Sequence, residues 1–344
     1  MGCYDHYCPA FLYSTSKEIA MIKECVRRGL VAVAAMILSF TAAGAQELHY
    51  KGFSRGSALI TVQELKQLID AKDPKLVVLA SENNVEYFLG HIPGSHQIDR
   101  PAIEAPAASQ GGITGNIVSA ADFTRLAQRL GIDQDSKIVV YDSQYDATRL
   151  WWALTYYGKA NVRVLDGGIK AWRSAGYTVD LLAPPLPIRN GTFVAKVAVP
   201  SLRVDTSDII AVQKNHLGQI WDNRSIKEFT GEELKKGASR PGRIPGSLHN
   251  DWAQFKTKEN KAEWRSANEI KALISTLGYE KNKDHYFYCQ SGVRSTQALF
   301  ALYLTGWPLE KIHNYDSSWI GWSRDTNLPL ESGIVSGAST KLVK

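Results

Sequence analysis

Two stretches of the chain carry the same pattern in the same order, and this duplication restricts the fold more than any other feature. The tetrapeptide IPGS stands at 92–95 and again at 244–247. SAADFTRLAQRLGI, from Ser119, matches SANEIKALISTLGY, from Ser266. Both open on a serine suited to cap a helix and carry leucines at helical spacing, Leu126 with Leu130 and Leu273 with Leu277. Each ends on a glycine suited to a helix C-cap, Gly131 or Gly278. KIVVYD and HYFYC follow as short apolar runs that read as buried strands. LWWALTYYG and LFALYLTGW read as helices packed on a sheet, and VRVLDGGIKAW and IHNYDSSWIGW complete each copy. Alternating strands and helices predict an α/β fold of two domains, each a mainly parallel sheet with helices on both faces. LLAPPLPIRNG, 181–191, holds Pro184, Pro185, Pro187 and Gly191, which resist helix and strand interiors, so it is read as the linker. The expected boundaries are 57–180 for the first domain, 181–200 for the linker, 201–331 for the second domain and 332–344 for a tail.

The N-terminus reads as an address. Lys23, Arg27 and Arg28 precede an apolar run from about Leu30 to Phe40, and Ala43-Gly44-Ala45 offers the small residues that a signal peptidase reads. Residues 21–45 are expected to be a secretory signal cleaved after Ala45, too short for a typical spanning helix, with 1–20 upstream of the usual start. An uncleaved anchor is the alternative. The expectation is an exported, periplasmic protein with no stable membrane insertion once the signal is removed. Of the 344 residues, 44% are hydrophobic and 22% charged, as in folded, core-forming proteins. The formal charge of +6 is scattered, without a Lys/Arg block interleaved with aromatics, which argues against a nucleic-acid partner.

Cys3, Cys8 and Cys25 all fall in the N-terminal segment, leaving Cys289 as the one cysteine of the expected mature chain. Such a chain has no internal disulfide and no multi-thiolate metal site. Cys289 either is a buried structural thiol or is used. Superimposing the copies puts Asp142 opposite it, so only the second copy has a nucleophile. The same asymmetry appears upstream, where WDNRSIKEF carries Asp222, Arg224 and Glu228, and LASENNVEYF has Ala80 and either Glu82 or Asn83 in place of the Asp and Arg. The first copy therefore reads as a scaffold.

In CQSGVRS, Gln290 to Val293 form a turn between a strand and a helix that begins near Arg294 and Ser295. Gly292 permits a backbone conformation that other residues resist. Successive N–H groups then form an anion nest above a helix N-terminus, and Arg294 adds positive charge, which together favour a thiolate. A redox dithiol needs a second cysteine where Ser291 stands, and metal binding needs further ligands. Phosphatase loops of the Cys-x5-Arg type are one residue longer; a six-residue Cys-x4-Arg loop suits a single sulfur atom on the cysteine.

With these features the chain resembles the rhodaneses, or sulfurtransferases, in their tandem two-domain form, over about residues 57–331. The carriers are CQSGVRS at 289–295, DNRSIKEF at 222–229, GRIPGS at 242–247 with GHIPGS at 90–95, ATRLWWAL at 147–154, LDGGIKAW at 165–172 and NYDSSWIGW at 314–322. The resemblance implies two rhodanese-like domains, the first inactive, and a persulfide formed on Cys289 when it takes sulfur from a donor such as thiosulfate. A thiophilic acceptor, cyanide or a thiol, then removes that sulfur; a protein is a further candidate acceptor. Substrate binding is expected from Gln290, Ser291, Gly292, Val293, Arg294 and Ser295, with Arg224 beside them. Asp222 is expected to pair with Arg224, and Arg149 to brace the domain interface, with reach into the active-site cleft as its alternative; no cofactor or metal is expected. His249 and Asp251 are read as structural, and Trp151, Trp152, Trp172, Trp252, Trp319 and Trp322 as core and interface. One departure stands out. Vertebrate-type members use loops such as CRKGVT or CGSGVT, without an arginine at position 294, and place an arginine where this chain has Glu228. Thiosulfate is therefore the favoured donor and 3-mercaptopyruvate the second. A persulfide carrier that delivers sulfur to another protein and a Cys-Arg phosphate-ester or arsenate hydrolase are the competing readings.

Overall fold

Residues 50–184 and 190–333 are described in a computed structural model of the chain. The expected signal segment, Pro185 and Pro187 of the linker, and most of the tail lie outside the described residues. The first sheet is built from β1 (Leu59–Ile60), β2 (Leu76–Ala80), β3 (His96–Gln97), β4 (Lys137–Tyr141) and β5 (Val162–Leu165), in the order β1-β5-β4-β2-β3. The second repeats it with β6 (Arg203–Val204), β7 (Gly218–Asp222), β8 (Leu248–His249), β9 (Asp284–Tyr288) and β10 (Ile312–Tyr315), in the order β6-β10-β9-β7-β8. Every pairing between these strands is parallel. The two apolar runs KIVVY and DHYFY are the middle strands.

Strand side chains alternate in direction, and both faces are buried. Ile138 and Val140 of β4 enter one core, while Val139 and Tyr141 enter another. In β9, Phe287 joins the first of these cores and Tyr288 a third. The core that takes Ile138 also takes Phe287, so one face of each sheet contributes to a single apolar interior spanning both domains. At its centre the helices Ala147–Tyr156 and Ser295–Leu304 meet, with Trp151 and Phe300 rings 4.6 Å apart and the Thr148 and Thr296 hydroxyls 2.8 Å apart. STQALFALYL is apolar on nearly all sides because it is enclosed on nearly all sides; among its residues only Tyr303 is not fully buried.

The repeated IPGS has a packing role. The Ile92 N–H donates to the Tyr141 hydroxyl at 3.1 Å and Ser95 Oγ lies 2.9 Å from it. In the second copy the Ile244 N–H and Ser247 Oγ hold the Tyr288 hydroxyl, both at 3.1 Å. Each motif thus satisfies the phenol that ends a middle strand, a group too deeply buried to reach water.

The second half of the linker is not free. The Gly191 N–H donates to the Gln128 carbonyl at 2.7 Å and the Phe193 N–H to the Ile132 carbonyl at 3.0 Å, with the Phe193 ring buried in the shared core. Two further backbone bonds, from Lys196 to Tyr157 and from Ala198 to Tyr156, strap this stretch to the first domain. Phe193 at an alternate position to Ala195 was the apolar signal for it, masked by the prolines before it.

Candidate active site

In the second sheet β7 and β9 are neighbours whose connections leave in opposite directions, β7 toward β8 and β9 toward β10. The crevice at the carboxyl ends of two such strands is the place where open parallel sheets hold their functional groups. Asp222 ends β7 and Cys289 follows β9 directly, so both stand there.

Cys289 is 1% exposed and lies at the mouth of the loop that leads into the helix Ser295–Leu304. Its backbone is held on both sides: the N–H donates to Ser318 Oγ at 3.2 Å and the carbonyl accepts from the Trp319 N–H at 3.0 Å. Ser318 has φ +48°, an unfavourable conformation for a residue with a side chain, and its hydroxyl donates to the Tyr315 carbonyl at 2.7 Å. The first domain places Gly168 at the matching point, with φ +55°. Gly292 has φ +72°, and a Cβ there would stand 2.6 Å from the Asp316 carbonyl oxygen, so this turn requires glycine.

Burial raises the thiol pKa, yet the net direction is downward. The opposing causes are the Arg294 charge, hydrogen bonds from the Ser295 N–H and hydroxyl, and one from the Ser291 N–H. The Ser295 hydroxyl lies 3.6 Å from the sulfur and 2.6 Å from Asn314 Oδ1. Its one proton is better used by the amide oxygen, so the backbone N–H groups and Arg294 carry most of the effect on the sulfur. Asn314 also donates to the Gly292 carbonyl at 3.1 Å, tying β10 to the loop.

Arg294 does not present a free fork. Its Nη1 and Nη2 donate to the two carboxylate oxygens of Glu228 at 2.8 and 2.9 Å, a bidentate pair. Burial works against ionising Glu228, but Arg294 outweighs it and holds the carboxyl below the usual range. In the sequence Glu228 stands out as a charged residue of the second copy and as a departure from the vertebrate pattern; the structure makes it the partner of Arg294. Arg224 is likewise committed, with Nη2 2.5 Å from Asp222 Oδ2 and 2.8 Å from the Gly242 carbonyl, and it stacks 4.8 Å from the Trp319 ring. At 1% exposure it braces the site in the expected pair with Asp222. The residue expected beside the substrate is thus enclosed by protein, with its Nε and Nη2 both engaged. Of the remaining loop residues, Val293 is buried with its carbonyl accepting from Thr296, and Gln290 reaches the Lys236 carbonyl at 3.2 Å. Ser291 is half-buried.

Arg149 reaches this loop from the other domain. It donates through Nη1 to the Gly292 carbonyl at 3.1 Å, and through Nη2 to the Gly115 carbonyl at 2.7 Å and Asp316 Oδ1 at 2.6 Å. Arg149 and Asp316 are both 1% exposed as side chains, so the pair is enclosed by protein. Arg149→Ala would leave Asp316 with one cationic partner, Arg203, and take from the Gly292 carbonyl one of its two donors, Asn314 remaining. The expected loss is about 3 kcal/mol of unfolding free energy, read as a lower urea midpoint, and Arg149→Lys should recover little because it lacks the fork.

The corresponding turn of the first domain has different chemistry. Asp142 Oδ2 accepts the Ala147 N–H at 2.6 Å, so a carboxylate occupies the helix N-terminus where the second domain has its sulfur. The helix begins five residues after Asp142 but six after Cys289, so the first turn is also one residue shorter. Burial raises the Asp142 carboxyl and lowers the Lys256 ammonium that faces it from the second domain, and each charge offsets part of the other's shift.

The rhodanese-like domain model matches the chain twice, at residues 61–175 and 207–325. The chain belongs to the rhodanese family. Among curated relatives of this tandem rhodanese, the sulfur carrier protein TtuD of Thermus thermophilus is 30% identical over 296 residues, covering 82% of this chain and 99% of the relative. The 3-mercaptopyruvate sulfurtransferase of Escherichia coli is 30% identical, covering 72% of this chain and 85% of its own. The thiosulfate sulfurtransferase of Corynebacterium glutamicum is 28% identical, with 75% and 85% covered. Among solved structures, the anaerobic ergothioneine biosynthesis enzyme from Chlorobium limicola superposes with a TM-score of 0.71 at 24% identity, covering 83% of this chain and 72% of that one, a likeness of fold. This rhodanese is thus a member of a sulfurtransferase family, with its one described cysteine in the second repeat.

Proposed function

We propose that this rhodanese moves a sulfane sulfur from thiosulfate to a thiophilic acceptor through a persulfide on Cys289. The observation that supports it best is a cysteine whose pKa is lowered against its own burial, inside a six-residue loop on a helix N-terminus. The Cys289 thiolate attacks the outer sulfur of thiosulfate, the S–S bond of the donor breaks, and sulfite leaves with the bonding pair. The enzyme is left as Cys–S–S⁻, whose charge falls on the Ser291 and Ser295 N–H groups and near Arg294. Cyanide or a thiolate then attacks the terminal sulfur and the Cys289 thiolate returns, a two-step covalent cycle. Because Asp222–Arg224 and Glu228–Arg294 are both closed pairs, the site favours a small donor that displaces few bonds. The charged, apolar and small-residue run at 21–45 supports the further reading that this activity belongs to an exported protein.

The similarity to a sulfur carrier along 99% of that relative supports a second reading, in which the loaded chain hands its sulfur to a protein. The experiment is to incubate the chain with thiosulfate, or separately with 3-mercaptopyruvate, and weigh it intact, then add cyanide and measure thiocyanate. A gain of one sulfur atom with thiosulfate, followed by repeated turnover, is the expected result. Loading without turnover selects the carrier, loading only by 3-mercaptopyruvate changes the donor, and an unmodified mass with both overturns the proposal.

A further inference from the structure

The first domain retains a cavity at the place where the second has its active site. It measures about 510 Å³ and is lined by six carboxyl side chains, among them Glu82, Glu86, Asp142 and Asp146, against one guanidinium, Arg100, with the Lys256 ammonium facing Asp142. That guanidinium is bonded to Asp146 at 2.6 Å and is not available to balance the rest. Ser291 of the Cys289 loop forms part of the wall.

Glu82 is the residue that bounds what this cavity holds. Strand pairing aligns Ala80 beside Tyr141 as Asp222 is aligned beside Tyr288, so Glu82 stands where the second domain has Arg224. The second domain fills that position with a cation tied to its own carboxylate, whereas the first has the opposite charge and an alanine in place of the partner. Glu82 is 2% exposed, and neither of its carboxyl oxygens has a hydrogen-bond partner. A buried carboxyl without a partner is unfavourable in either protonation state, and a native structure keeps few of them. We propose that this cavity binds the ammonium group of a small amine, with Glu82 as its principal carboxylate, beside the Cys289 loop.

Three observations narrow the ligand to that class. An anion is repelled by the excess of carboxylates. Among the described residues no group of three or more His, Cys, Asp and Glu side chains is arranged to hold a metal ion, which favours an organic cation with directional N–H donors. Burial, and then the charges of Asp142 and Glu86, push the Glu82 carboxyl up to about 8, with Arg173 opposing. The arriving ammonium reverses that by supplying the missing opposite charge, so binding releases a proton.

Calorimetric titration of the full chain with n-butylammonium chloride, magnesium chloride and sodium sulfate tests this independently of sulfur transfer. Saturable one-to-one binding of butylammonium alone is expected, weakened at least about tenfold by Glu82→Gln, the loss of one charge-assisted bond. Glu86→Gln, at a half-buried helix position, should weaken it too, and it decides the matter if Glu82→Gln does not fold by circular dichroism. Absence of saturable butylammonium binding, equal affinity in every folded variant, or preferential binding of magnesium or sulfate overturns the proposal.

Discussion

Cys289→Ser is expected to lose persulfide formation entirely and to transfer sulfur at least about a thousandfold more slowly than the parent chain. A serine hydroxyl stays protonated at neutral pH, and its oxygen does not form the S–S bond that stores the transferred atom. The loss should be chemical and not a failure to fold. The first domain holds an oxygen-bearing side chain at this same turn, with Asp142 Oδ2 accepting the Ala147 N–H at 2.6 Å. In the second domain the Ser318 hydroxyl and Trp319 N–H hold the Cys289 backbone, whatever its side chain. The unfolding midpoint in urea should therefore move little, within roughly 1 kcal/mol. Intact mass after thiosulfate and thiocyanate release measure the two halves of the cycle. A serine variant that still gains sulfur would remove Cys289 from the mechanism.

The duplication was legible because it is written in local patterns. Ser119 and Ser266 cap helices whose Leu126 and Leu273 mark the buried side, and KIVVY and HYFY alternate toward two cores that each strand must satisfy. Cys289, its turn and the Asp222–Arg224 pair were legible too, since all are short-range in sequence: Arg224 is two residues from its partner. What separates residues widely in the chain was not. Glu228 and Arg294 are 66 positions apart, and neither carries a mark in the sequence that assigns it to the other. For Arg149 the sequence offers a brace between domains or a reach into the active-site cleft, and its bond to the Gly292 carbonyl, across 143 positions, becomes visible only once the two middle helices pack together. Asp316 is similar: NYDSSWIGW marks the family resemblance, and only the assembled interior shows Asp316 accepting from Arg149, from Arg203 and from the Ile117 N–H. Long-range ion pairs of this kind depend on packing that local propensity does not encode.

Arg294→Ala is expected to damage stability and chemistry together, and a second substitution separates them. The Glu228 side chain is 1% exposed, and without its fork it becomes a buried charge hydrogen-bonded only by Ser225, with the Arg224 charge near it. The expected destabilisation is about 3 kcal/mol, at the low end for a broken buried pair because Arg294 itself lies nearer the surface. The chemical effect has a definite sign. Arg294 is the foremost group lowering the Cys289 pKa against burial, so removing it raises that pKa. The thiolate is the reactive form and is populated above the pKa, so the onset of loading moves to higher pH and the rate at neutral pH falls, by at most about tenfold per unit of rise because a more basic thiolate is also more nucleophilic. Loading should recover as the pH is raised toward 9, the ordinary thiolate range. Adding Glu228→Gln removes the stranded charge and should return most of the lost stability while leaving the pH onset displaced. Urea midpoints and the pH profile of thiosulfate loading, both on the single and the double variant, give the two readouts. If the double variant regained the parent profile, the Arg294 charge would be serving Glu228 alone, and the sulfur would owe its activation to the Ser291 and Ser295 N–H groups.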